Sequence, residues 1–189
     1  MLLRPSYLAI VLALVAPSVA SPAPAQAAEQ AAPAEKNPPG DIPDTQVFVD
    51  YAGPSFSMKI PEGWSRTDQP RGAIFADKYN TITVSTAPAQ TAPTIASITN
   101  GEAKALAASG HAVVINSIKE VKLSAGPAIR VDYAANSAPN PVTNKQIRLE
   151  EVRFYLFGRG QLVTLDMSAP KGADNVDQWN LMANSLRLK

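Results

Sequence analysis

Residues 145–168 read KQIRLEEVRFYLFGRGQLVTLDMS, and this stretch decides the class of fold. After Gly158-Arg159-Gly160, the residues Val163, Leu165 and Met167 alternate with Thr164 and Asp166. Alternation with period two marks a strand with one buried face, because successive side chains point to opposite sides. Before the glycines, residues 145–157 predict the longest strand of the chain, but its phase changes midway. Ile147 and Leu149 share one parity, whereas Val152, Phe154 and Leu156 share the other. A single buried face cannot hold both sets, so a β-bulge is expected at Glu150-Glu151. Two strands joined by Gly-Arg-Gly form an antiparallel hairpin, and the sheet is built outward from it.

Upstream, Ile129, Val131 and Tyr133 are expected to face in, with Arg130 and Asp132 facing out. Residues 112–118 and 120–123 read as further strands, ahead of a turn at Ser124–Pro127. Earlier still, Val47–Tyr51 and the alternating Phe56, Met58 and Ile60 predict two short strands, with Trp64 folding back over the sheet. Residues 73–76 and 81–85 predict a hairpin. Thr94–Ser109 predicts a helix, with Thr94 or Ser97 as its cap, a weak middle at Asn100-Gly101 and a stop at Gly110. After the late hairpin, Val176, Trp179, Met182, Ala183 and Leu186 recur at helical spacing, and Asp174 can cap that helix. Strands joined mostly by short turns give an α+β domain: an antiparallel β-sheet flanked by helices.

The N-terminus has another character. Arg4 precedes an uninterrupted apolar run of ten residues, Tyr7–Ala16, and Pro17 ends it. Ser18-Val19-Ala20 and Ala25-Gln26-Ala27 are small-x-small sites, so residues 1–27 read as a secretory signal cleaved after Ala20 or Ala27. A spanning helix needs ~20 apolar residues. No Cys is present to carry a lipid anchor, a disulfide or a thiolate metal site. Residues 28–44 are rich in Ala and Pro and are expected to be a disordered tether. Residues 45–189 then form one domain. The 17 basic and 16 acidic residues become 16 of each once Arg4 is removed. A neutral mature chain argues against nucleic acid as a partner.

The layout carries a family resemblance. Tyr51, then Phe56-Ser57-Met58-Lys59-Ile60-Pro61-Glu62-Gly63-Trp64, resembles the opening of PsbP-like domains, where an aromatic strand runs into Ile-Pro-x-x-Trp. Ile82-Thr83-Val84-Ser85, the hairpin around Asn144-Lys145-Gln146 and Gly158–Leu165, and the closing Asp177-x-Trp179 with Ser185-Leu186 are similar to later pieces of that family. The likeness covers roughly residues 50–189. It implies a PsbP-like (PsbP/DcrB-type) α/β/α sandwich and a mainly non-enzymatic, accessory role. Fold alone does not fix function.

The residues offer little chemistry beside this. His111 is the one imidazole and has no second ligand motif near it. Glu150-Glu151 is the best carboxylate pair, but neighbours on a strand point apart unless a bulge intervenes. Trp64, Tyr79, Tyr155 and Trp179 are candidates to line a ligand groove. There is no G-x-S-x-G and no glycine-rich phosphate loop, so no cofactor and no metal are expected. Arg148, Glu150, Glu151, Arg153 and Arg159 are the candidate partner-binding patch. The expectation is an exported, non-enzymatic accessory domain, secreted or held in the cell envelope or periplasm, that binds a protein partner. The alternatives are a carrier or sensor of a small apolar ligand and, third, a carboxylate-based hydrolase. No membrane span is expected to remain after signal cleavage.

Overall fold

A computed structural model describes residues 29–189. The export signal expected over residues 1–27 lies outside the described residues. The strands are β1 (Phe48–Ala52), β2 (Phe56–Pro61), β3 (Ser65–Gln69), β4 (Gly72–Asp77), β5 (Asn80–Pro88), β6 (Val114–Leu123), β7 (Gly126–Asn136), β8 (Arg148–Gly158), β9 (Gln161–Pro170) and β10 (Arg187–Leu188). Between β5 and β6 run α1 (Ile95–Ile98), a π-helical turn (Thr99–Ala103) and α2 (Lys104–Ala108); α3 (Val176–Ser185) follows β9.

The late hairpin forms as expected. Arg159 and Gly160 carry φ of 53° and 73°, the left-handed pair that a two-residue hairpin turn matched to strand twist requires. Glycine suits such a position because it has no Cβ to clash. Hairpins then stack to give a seven-stranded antiparallel sheet in the order β3-β4-β5-β9-β8-β7-β6. A second, three-stranded sheet, β1-β2-β10, was not anticipated. Gly63, at φ 85°, turns the chain away after β2, and the C-terminal Arg187–Leu188 returns to pair with Phe56 and Ser57.

The bulge expected at Glu150-Glu151 is absent. β8 pairs in unbroken register with β7 and with β9 through this region. The phase change has a different cause: both faces of β8 are covered. Val152, Phe154 and Leu156 pack with Met58 of β2, with Trp179 and Met182 of α3 and with Leu186 just after it. Tyr155, on the opposite face, packs with Ile98, Ala103, Ile129 and Val131 beneath the 95–108 helical segment. The register shift lies instead in β6, between Ile115 and Ser117. One flank of the large sheet is therefore helical, while the other combines α3 with the small sheet. The helix-flanked sandwich is realised only in that mixed form.

The caps separate the two helical regions. Thr94 Oγ1 accepts the Ser97 N–H at 3.1 Å, and Ser97 Oγ accepts the Thr94 N–H at 2.9 Å, a reciprocal capping box. The weak Asn100-Gly101 does not break the segment; it lies within the π-helical turn. Asp174 does not cap α3. Asn175 holds the N-cap position without a capping bond, since its carboxamide binds residues 40 and 42 instead.

Residues 29–44, expected as a tether, follow an irregular path against the domain. Ile42 is only 4% exposed. Asn175 Oδ1 accepts the Ile42 N–H at 2.6 Å, and the Asn80 and Asn175 carboxamides both donate to the Gly40 carbonyl. Apart from Ile42 few side chains of this segment are buried, and much of the holding is done by its backbone groups.

Candidate functional site

The five residues expected to form one patch are divided by the strand that carries them. Glu151 and Arg153 lie on the face of β8 that turns toward the helical segment, and Glu150 lies on the other. Arg159 sits at the hairpin tip, roughly 30 Å along the strand from Glu150 at about 3.3 Å per residue. Arg148, at the opposite end, is buried. Glu150 and Glu151 point apart, so they do not form the carboxylate pair a hydrolase would need. Burial pushes the half-buried Glu150 carboxyl up, opposed by the Gly172 N–H and Lys171.

Glu151 instead finds its partners across the sheet. Tyr133 of β7 is its direct neighbour, and Asp166 of β9 is the neighbour of Arg153. The Tyr133 hydroxyl is 2.7 Å from Glu151 Oε2 and 3.1 Å from both Asp166 oxygens. Arg153 donates to Asp166 through Nε, at 3.0 Å, and through Nη2, which also donates to the Tyr133 oxygen at 3.2 Å. One phenolic hydrogen cannot serve two carboxylates. The arrangement closes when Glu151 is protonated: Glu151 and Arg153 donate to the Tyr133 oxygen, and Tyr133 donates to Asp166. Burial, and then the Asp166 charge, push Glu151 up to about 7. Burial also raises Asp166, against the pull of Arg153, and raises the Tyr133 phenol. Asp166, expected on an outer face, is thus enclosed and paired.

Beyond this cluster the same sheet face opens. The helical segment covers β6 to β8; strands β9, β5 and β3 continue with Ser168, Thr164, Thr81, Thr83, Ser85 and Thr67, and β4 between them with Ile74 and Ala76, all half-buried or exposed. The result is a strip in which hydroxyl side chains of β3, β5 and β9 flank Ile74 and Ala76 of β4. A groove of about 490 Å³ adjoins it between Lys78-Tyr79 and the 137–145 loop.

At the other end of β7 and β8, Arg148 is 6% exposed and Asn136 4%. Arg148 Nη1 donates to the Ala112 carbonyl at 2.8 Å and to Asn136 Oδ1 at 3.0 Å, and Nη2 donates to the Ala134 carbonyl at 3.1 Å. Arg148 is therefore a positioning group and not a contact surface. Sequence reasoning missed Asn136 altogether, as it missed Tyr133 and Asp166. Their signal was weak: Asn136 and Asp166 are polar residues on the outward parity of their strands, and Tyr133 reads as one more core residue beside Ile129 and Val131.

His111 is half exposed at a left-handed turn and bonds through its backbone N–H. Among the described residues no His, Cys, Asp and Glu cluster suits a metal. The aromatic candidates do not meet. Trp179 belongs to the core under α3 and Tyr155 to the core on the other face; Trp64 packs at the margin of the first, and Tyr79 is exposed.

No sequence-family model matches the chain, and no curated protein matches it by sequence. The architecture is PsbP-like. Cyanobacterial PsbP (CyanoP) from Synechocystis superposes with a TM-score of 0.55 at 13% identity, over 81% of this chain and 100% of that one. A protein from Bacteroides thetaiotaomicron aligns with a TM-score of 0.47 at 14% identity, over 71% of this chain and 45% of that one. The likeness is one of fold.

Proposed function

We propose that the chain is an exported, non-enzymatic accessory domain that acts by binding a protein partner in the cell envelope. The observation that carries this is the open sheet face of β3, β4, β5 and β9, where hydroxyl side chains flank Ile74 and Ala76. An open, half-exposed sheet face complements another protein surface, whereas small ligands need concave sites that enclose most of their area. The signal-like N-terminus supports export, and no helix among the described residues is long and apolar enough to cross a membrane. The PsbP-like fold is compatible with an accessory role.

The test is crosslinking and capture from envelope extracts, with the chain against its Thr83→Arg/Thr164→Glu variant. A partner held by the wild type and lost by the variant supports the reading. Repeated capture of nothing, or of the same proteins by both, refutes it. Sequencing the amino terminus of the mature protein checks export, with a start at Ser21 or Ala28 expected.

A further inference from the structure

Asn136 does more than fill the end of a strand. Its Nδ2 donates to the Gln30 carbonyl at 2.8 Å, and its Oδ1 accepts the Ala32 N–H at 2.9 Å. One carboxamide thus reads the backbone of two residues spaced i and i+2, as a neighbouring strand would. Arg148 fixes the orientation, because a guanidinium only donates and so identifies Oδ1 as the oxygen. The Glu29 carboxylate completes the contact. Its Oε1 accepts from Asn136 Nδ2 at 2.9 Å and Gln146 Nε2 at 2.7 Å, and its Oε2 accepts the His111 N–H at 2.8 Å. These donors hold the Glu29 carboxyl below its usual range. Gly110, His111 and Ala112 carry φ of 89°, 55° and 45°, a strained turn that presents this N–H. The Asn136 N–H binds the His111 carbonyl, and Arg148 binds the Ala112 carbonyl. The side chains of Gln30 and Ala31 stay exposed.

We propose that Asn136, Gln146 and the His111 amide, positioned by Arg148, form a peptide-recognition site for an extended segment bearing a glutamate followed by small residues. The chain's own Glu29–Ala32 occupies it in cis, and a partner segment of that chemistry takes it in trans. The cis segment defines the specificity: a carboxylate with three N–H donors, then a backbone read without side-chain demands. With residues 29–32 seated, Asn136 is 4% exposed and both its carboxamide atoms are bonded, so the site is satisfied when filled. This rests on the reading of the chain as a protein-binding domain, and places recognition at a surface separate from the hydroxyl strip.

The experiment uses the full mature chain. E29A/A32P removes the cis carboxylate and the Ala32 N–H. A labelled acetyl-EQAAPA peptide, copied from residues 29–34, is titrated by fluorescence anisotropy. Saturable binding to E29A/A32P, at least about tenfold weaker in the wild type, is expected from competition by the tethered segment. Adding N136A or Q146A should weaken binding at least about tenfold, as should Gln in place of Glu in the peptide, each removing charge-assisted bonds. Q146A sits at the rim and keeps the test decisive if N136A fails to fold. No saturable binding to a folded E29A/A32P, or binding indifferent to Q146A and to the peptide glutamate, overturns the site. Envelope capture that still returns a partner in that case leaves the hydroxyl-strip reading standing; peptide binding without any captured partner removes that reading and keeps the site.

Discussion

Glu151 makes the stability of this domain depend on pH in a direction opposite to most paired carboxylates. Its pKa rises from 4.5 to about 7 in the folded state, chiefly by burial and then by the facing Asp166 charge, with Tyr133, Arg153 and Arg148 opposing. The folded protein binds this proton more tightly than the unfolded chain. Its contribution is therefore fully present below about pH 4.5 and is lost as pH rises through about 7. At about 1.36 kcal/mol for each tenfold change in proton affinity, the whole effect is about 3 kcal/mol, of which about 2.5 kcal/mol falls between pH 5 and 8. Glu151→Gln keeps a donor toward the Tyr133 oxygen and removes the titration. Urea unfolding of both proteins across pH 5 to 8 isolates the residue, because the other carboxyls are common to both. The wild type should lose stability relative to the variant by about 2–3 kcal/mol over that range. A difference that stays flat, or that grows in favour of the wild type as pH rises, would refute the proton placement.

Three further outcomes follow from packing. Thr94→Ala removes one half of the capping box and should cost about 1 kcal/mol in urea unfolding. At Gly72 an added Cβ would lie 2.0 Å from the Val84 carbonyl oxygen, so Gly72→Ala must push β4 from β5; a loss of about 1–3 kcal/mol and a lowered Tm are expected. Asn175→Ala leaves the Ile42 N–H without its partner and removes a donor to the Gly40 carbonyl, costing about 1–3 kcal/mol, and limited proteolysis at Glu35 should accelerate.

The hairpin at 158–160 and the strands flanking it were legible because their signals are local: glycines that tolerate a left-handed turn and a clean parity in Val163, Leu165 and Met167. The Thr94 cap and the Gly110 stop were legible for the same reason. β8 was misread because parity reports which positions are apolar, not how many faces are covered. With cores on both sides, Leu149 and Val152 need no bulge between them. β3, Ser65–Gln69, carries no apolar alternation and exists only through its pairing with β4. β10 and the second sheet depend on the chain end returning to β2, which no local pattern announces. The site was the least visible. Arg148 and Glu151 were picked out by charge, but their partners Asn136, Tyr133 and Asp166 come from other strands. The segment 29–44 looked unable to order because its composition offers little apolar area, and its attachment runs through backbone groups bound by Asn80, Asn136 and Asn175, the Glu29 carboxylate and the single buried Ile42.

The ends of the described chain are fastened late in folding. Residues 29–42 bond to partners more than 100 positions away, at Asn136 and Asn175, and Lys189 donates its backbone N–H to the Ser55 carbonyl. Such closures carry a loop entropy that only a nearly complete sheet can repay, and high sequence separation slows folding. A chain emerging amino end first leaves its leading segment unfastened until Asn136 and then Asn175 have appeared. Ordering of the leading segment is thus coupled to formation of β7 and α3, and a nascent copy presents that segment unfastened to whatever it meets first.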